Sequence, residues 1–167
     1  MTATVHLVTG GTGAGKTWHA IALAERFRAV RFSIDDWMTR LFWPDSPDPI
    51  EFEWTMTRIG RCEGQIREQV TALAAIGTDS VLDLGFTKAD HRAAFADFAR
   101  TSGAVARLHW VDVPSEERWR RVQQRNSERG QTYAMQVDRA MFDFMEGEWE
   151  PPSENEMAAL NGERIAA

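Results

Sequence analysis

Residues Gly10 to Thr17 read GGTGAGKT, a complete G-x-x-x-x-G-K-[ST] spacing. Glycines at these positions let backbone N–H groups turn inward around a β-phosphate, where a Cβ would block the approach. A lysine placed as Lys16 is reaches the β- and γ-phosphates, and a hydroxyl placed as that of Thr17 ligates Mg²⁺. Gly11, Thr12, Gly13, Ala14, Gly15, Lys16 and Thr17 are therefore the candidate contacts to ATP or GTP. The apolar run Val5 to Val8 precedes the loop, and Ile21, Leu23, Ala24 and Phe27 follow at helical spacing. That is the strand, loop, helix order such a loop requires, and a helix N-terminus adds roughly half a positive charge where the phosphates would sit. A dinucleotide fingerprint fails on spacing: counted from Gly11 and Gly13 its third glycine falls on Lys16, and counted from Gly10 its second falls on Thr12.

Two sets of carboxylates can act beside such a loop. Asp83 closes the apolar run Ser80 to Leu84 and suits a Walker-B aspartate that positions Mg²⁺ together with Thr17. Leu84 follows it where motor ATPases carry a water-activating glutamate, and the chain holds no N-K-x-D guanine-reading motif, so ATP is favoured and hydrolysis as the purpose is not. Asp35 and Asp36 end a second short strand, Val30 to Ile34. If that strand neighbours the first, Asp35 stands where a carboxylate takes the proton of an attacking hydroxyl; its alternative role is a helix N-cap, which is the favoured role for Asp36.

The elements that must position these residues follow from periodicity. Ile59, Cys62, Ile66, Val70, Leu73 and Ile76 mark a long amphipathic helix stopped by Gly77. Thr87 and Asp90 form a capping box for a helix running to Gly103, and Val105 to Val113 is a fourth strand leading into a helix that RNSERG, Arg125 to Gly130, breaks. A last helix spans Met135 to Met145. Strands alternating with helices predict an α/β chain in three layers, a mostly parallel sheet with helices on both faces and ligands at the strand C-terminal edge. Between residues 37 and 61 lies an insert rich in aromatic residues and acids and punctuated by Pro44, Pro47 and Pro49, which preclude one continuous helix.

The bulk numbers set limits. At 167 residues and 43% hydrophobic, one domain over residues 1–152 suffices, with a polar, poorly ordered tail at 153–167. No run approaches the roughly 18 apolar residues of a membrane span and the N-terminus lacks a signal-peptide layout, so a cytoplasmic protein without a membrane partner is expected. A net charge of −6 argues against a long polyanion as main partner, and the basic residues are almost all arginine. Cys62 reads as a small buried residue; His6 and His109 sit in apolar strands as core, and His19 and His91 read as helix surface.

Four features in order, GGTGAGKT, FSIDDW, VLDLGF, and DVP followed by a helix into RNSERG, resemble the P-loop kinases of the group that includes polynucleotide 5′-kinase, zeta toxin and chloramphenicol phosphotransferase. The resemblance implies a P-loop NTPase fold of the nucleoside-kinase type, Asp35 as base, Lys16 and Thr17 at the phosphates and Mg²⁺, and Arg125 and Arg129 in a lid over residues 121–134. From charge pattern alone those arginines read as a solvated helix end. The polynucleotide kinase pattern carries an arginine three positions after the base, where this chain has Met38; its nearest is Arg40. The chain also resembles bacterial ATP-binding proteins with DDWM, RC, LDLGF and FDFME signatures. The activity implied is transfer of the γ-phosphoryl group of ATP to a hydroxyl of a small molecule, with a nucleic-acid 5′-hydroxyl kinase or a regulatory ATP-binding protein as alternatives. Asp36, Trp37, Arg40, Trp54, Arg58 and Arg61 are the candidate acceptor contacts: the insert's aromatic rings can stack on a ring, and its acids can attract a cation, while Arg58 and Arg61 would instead suit an acid.

Overall fold

A computed structural model describes residues 2–128 and 136–166. The strands β1 (Thr4–Thr9), β2 (Val30–Ser33), β3 (Ser80–Asp83), β4 (Val105–Asp112) and β5 (Glu163–Ala166) form one sheet in the order β2-β3-β1-β4-β5, every pair parallel. The helices among the described residues are α1 (Lys16–Phe27), α2 (Ile34–Leu41), α3 (Phe52–Ala75), α4 (Ala89–Thr101), α5 (Ser115–Glu128), α6 (Arg139–Glu148) and α7 (Glu154–Ala159), with a single 3₁₀ turn at Trp43–Asp45. None is long and apolar enough to cross a membrane.

Strand side chains alternate between two cores, as a pleated sheet covered on both faces requires. Val5, Leu7, Leu82 and Leu108 pack with Ile66 and Val70 of α3 and Phe95 and Ala99 of α4. Val8, Val81 and Val111 pack with Ala20 and Leu23 of α1. A third, small cluster joins Val122 of α5 to Phe142 of α6, placing that helix pair beside the phosphate loop. Cys62 is buried on α3, as expected.

Several expectations are corrected. The second strand does not neighbour the first: β3 lies between β2 and β1, because Phe32 and Leu82 share a core face in a register that pairs Ser33 with Asp83. The helix after DVP is not broken at Arg125 but runs through Glu128, with Asn126 held by Val137: its Nδ2 donates to the Val137 carbonyl at 2.7 Å and its Oδ1 accepts from Val137 N. Arg129, Gly130 and the rest of the expected lid to residue 134, with the expected helix start at Met135, lie outside the described residues; α6 begins at Arg139 under an Asp138 cap. Thr87 and Asp90 make no capping box; a Glu150 carboxylate accepts from Ala89 N at 2.9 Å instead.

The polar tail is ordered over 153–166 rather than loose: it supplies α7 and the edge strand β5. Ile165 joins the second core, and fully buried Arg92 reaches from α4 to Glu156 of α7 with two hydrogen bonds of 2.6 and 3.0 Å while donating to the carbonyls of Phe86 and Glu150. These contacts are long-range, so local polarity concealed them. His6 and His109 are core residues as expected, 2.9 Å apart between Nδ1 and Nε2. His19 and His91 are half-buried rather than on the surface; His91 Nε2 lies 2.9 Å from Glu63.

Candidate functional site

The C-terminal ends of the parallel strands lie on one edge of the sheet, and there an approximately 650 Å³ cleft is lined by the phosphate loop, Asp35, Asp83, Gly85, Thr87 and the α5 residues Arg121, Gln124 and Arg125. The loop closes at Gly15, which has φ +94° and caps α1; α1 carries no acid in its first turn to oppose an anion at its N-terminus. Gly13 has φ +80°, and a Cβ there would come within 2.6 Å of the Arg118 carbonyl, so the loop's turn and its contact with α5 both require glycine. Lys16 Nζ donates to the Gly10 and Gly11 carbonyls at 3.0 and 3.1 Å, inside the concavity. Burial lowers its pKa from the ordinary value, against the opposing pull of Asp83 and Asp35.

Asp83 is buried at the end of β3. Its Oδ2 accepts from Arg31 Nη1 at 3.0 Å, and the Thr17 hydroxyl is close enough to favour its charged form. Burial raises its pKa, while Lys16, Arg31 and Thr17 oppose the rise. A carboxylate and a hydroxyl side by side form the hard oxygen donor set that Mg²⁺ takes, completed in such sites by water and phosphate oxygens. The residues present therefore fit that ion.

Asp35 lies in the first turn of α2. The helix cap is Ser33, whose Oγ accepts from Asp36 N at 3.3 Å, so neither aspartate serves as N-cap. Asp35 faces the cleft, and its pKa is raised above the usual carboxylate value, chiefly by desolvation and further by Asp36; Lys16, Arg125 and Arg31 pull it back. Asp36 points away into a second cavity of about 390 Å³ with Trp37 and Arg40, and its Oδ2 accepts from Arg31 Nη2 at 2.6 Å. Arg31 thus ties Asp83 to Asp36.

Of the expected site residues, the fold brings Thr12, Gly13, Gly15, Lys16, Thr17, Asp35, Asp83 and Arg125 to one cleft, and Asp36, Trp37 and Arg40 to the neighbouring cavity. Gly11 and Ala14 lie buried in the turn behind the cleft surface. Trp54, Arg58 and Arg61 line neither cavity. Trp54 stacks on Trp43 at 5.8 Å and Arg58 lies 3.8 Å over the Trp54 ring, so this part of the insert packs on itself and against the core. The acids Asp45, Asp48, Glu51 and Glu53 also lie outside both cavities.

Sequence reasoning missed the braces. Arg118 is buried behind the loop, donating through Nε to Val113 O at 2.8 Å, through Nη1 to Thr12 O at 3.2 Å, and to both oxygens of Glu146 on α6 at 2.5 and 2.7 Å. Arg121 Nη1 donates to Ala14 O at 3.3 Å while Nε holds Glu117. The signal was present: Arg118, Arg121, Val122 and Arg125 recur at three- and four-residue steps, one face of a helix. Trp18 also lines the cleft with 63% of its surface exposed.

The profile of an AAA domain family (AAA_33) matches residues 5–152. The chain belongs to that family. No curated protein matches the AAA domain chain in sequence. Its fold is shared with a kinase-like protein of Chloroflexus aurantiacus at a TM-score of 0.73, with 15% identity over 100% of this chain and 88% of that one. It is shared also with Chaetomium thermophilum Kti12, solved with ADP-AlF3, at 0.71, with 16% identity over 97% and 88%. The APS kinase of Mycobacterium tuberculosis, solved with AMPPNP and APS, superposes at 0.62, with 17% identity over 98% and 87%. The domain is thus a P-loop protein of kinase-like fold: three layers around an all-parallel five-stranded sheet.

Proposed function

We propose that this AAA domain is an ATP-dependent phosphotransferase that moves the γ-phosphoryl group to a hydroxyl of a small molecule. The observation that carries the reading is the convergence of Lys16, Asp83 and Asp35 in one cleft over the N-terminus of α1, with Asp35 near enough to Lys16 and Arg125 for their charges to act on it. Phosphoryl transfer needs little covalent help; it needs positioning and charge neutralisation.

In the proposed step the loop N–H groups and Lys16 hold the ATP phosphates. The acceptor oxygen bonds to the γ-phosphorus as the bond to the β,γ-bridging oxygen breaks, ADP leaves, and the hydroxyl proton passes to the Asp35 carboxylate. Arg121 and Arg125, on the cleft wall, neutralise charge at the transferring group. Asp83 and Thr17 would hold Mg²⁺, which when bound neutralises phosphate charge. A raised Asp35 pKa suits a general base, whose driving force grows as its pKa approaches the working pH. The net charge of −6 and the Met38 position favour a small acceptor over a nucleic-acid end.

The test is ATP turnover followed by ³¹P NMR across sugars, aminoglycosides, hydroxy acids, nucleosides and 5′-hydroxyl oligonucleotides, comparing wild type with Asp35→Asn. A phosphorylated product that disappears in the variant while ATP still binds supports the reading. Tight ATP binding with every acceptor unmodified would move a regulatory ATP-binding role to the front.

A further inference from the structure

The second cavity has a composition of its own. Its lining is Arg31, Ser33, Asp36, Trp37, Arg40 and Leu41. Most of its polar groups are committed: Arg31 is shared between Asp36 and Asp83, and Ser33 accepts the Asp36 N–H. Arg40 is the exception, making no hydrogen bond or ion pair with any described residue. Beside it Trp37, half-buried, stands edge-on to Phe32 at 6.2 Å, which fixes the indole. The cavity therefore offers one spare guanidinium, one anchored aromatic ring, and a carboxylate already neutralised by Arg31.

Its position relates it to the main cleft. Asp35 and Asp36 are consecutive in the first turn of α2, and one faces each cavity, so the ridge between the cavities is a single helical turn. Arg40 follows Asp35 by five residues on the same helix, about 7.5 Å along its axis.

Resting on the phosphotransferase reading above, we infer that this cavity anchors the acceptor by an anionic group, a carboxylate, sulfate or phosphate held by Arg40 with the acceptor's ring against Trp37, so that a hydroxyl at the far end of a ring-sized molecule meets Asp35. The acceptor is an acid, not the cation that the insert's acidic residues suggested. A guanidinium meets such groups with two parallel N–H donors, and an exposed cation with no protein partner favours an anion over a neutral analogue.

The experiment uses matched probes: 4-(hydroxymethyl)benzoate against its amide, and gluconate against glucose. Binding to the full chain is read by ligand-observed NMR, and transfer from ATP by ³¹P NMR, for wild type, Arg40→Gln and Arg40→Lys, with thermal unfolding to verify the fold. The acids should bind and the neutral partners should not. Arg40→Gln should raise the acid's Kd, and its KM where transfer occurs, by about tenfold or more, with kcat changed far less; Arg40→Lys should recover part of the loss. Acid and neutral probes binding alike, failure of both acids to bind, or acid binding indifferent to Arg40→Gln would each overturn the proposal. Acids that bind through Arg40 but are never phosphorylated would leave the anion site standing and refute the phosphotransferase reading instead.

Discussion

Replacing Arg118 by methionine keeps most of the side chain's bulk but removes four hydrogen bonds at once. The carbonyls of Thr12 and Val113 lose their donor, and the half-buried Glu146 loses its partner. Breaking a buried pair costs about 3–5 kcal/mol. Glu146 keeps 24% of its side chain exposed, so water takes over part of the lost interaction and about 3 kcal/mol is expected. Glu146→Gln keeps an oxygen facing the guanidinium and should cost about 1–2 kcal/mol. The double variant should be scarcely worse than Arg118→Met alone, giving a coupling of about 1–2 kcal/mol. The coupling also depends on pH with a definite sign. Arg118 holds the Glu146 carboxyl below its ordinary value, so its stabilisation is complete above the unfolded pKa near 4.3 and is lost as pH falls through the lowered folded value. Urea unfolding of the four proteins at pH 7 and pH 4 measures both quantities, and the Kd for a non-hydrolysable ATP analogue reports the loosened Thr12 turn. Additive single variants, or Arg118→Met costing under about 1 kcal/mol, would refute the view that this pair braces the loop.

Three further outcomes follow from the same geometry. Asp36→Asn removes a charge that raises the Asp35 pKa and frees Arg31 to lower it, so the acid limb of kcat/KM against pH should move to lower pH; a limb that stays or rises would remove Asp35 as the base. Glu156→Gln leaves the fully buried Arg92 guanidinium without its carboxylate and should cost about 3 kcal/mol, as should most of the effect of deleting residues 153–167; a loss under about 1 kcal/mol in denaturant would mean the tail is not bolted down by Arg92. His109, buried against His6 and Arg107, has its pKa lowered to about 3, so the unfolded imidazole takes up a proton below about 6.5 while the folded one does not, and stability present above that value is lost as pH falls. The loss should be about 2 kcal/mol between pH 7 and pH 5, and should shrink in His109→Gln; equal pH dependence of the two proteins by urea unfolding would contradict it.

Much of the architecture was legible because it is written locally. The phosphate loop's glycines, the apolar runs that became β1 to β4, and the three-to-four-residue steps of α1 and α3 are properties of short stretches, and short stretches fold by their own periodicity. Lys16, Thr17 and Asp83 could be singled out because each abuts such a stretch. The C-terminal strand was not legible: ERIA is short and half polar, and it becomes a strand only because β4 presents an edge where His109 to Asp112 pair with it. The insert misled for a similar reason. Aromatic and acidic residues near a cleft look the same in sequence whether they line it or pack on one another, and Trp43, Trp54 and Arg58 do the latter.

By itself, then, the sequence determined that the chain carries a phosphate loop between a strand and a helix, in an α/β order that puts strand ends on one edge. The tertiary structure alone decided which carboxylate meets that loop. Strand order placed Asp83 beside β1 and Asp35 one strand further out, helix phase sent Asp35 into the cleft and Asp36 out of it, and long-range packing brought Arg118, Arg121 and Glu146 behind the loop. Spacing along a chain encodes the conformation of a segment. Which segments become neighbours is set by the burial of all their faces together, and no single stretch contains that information.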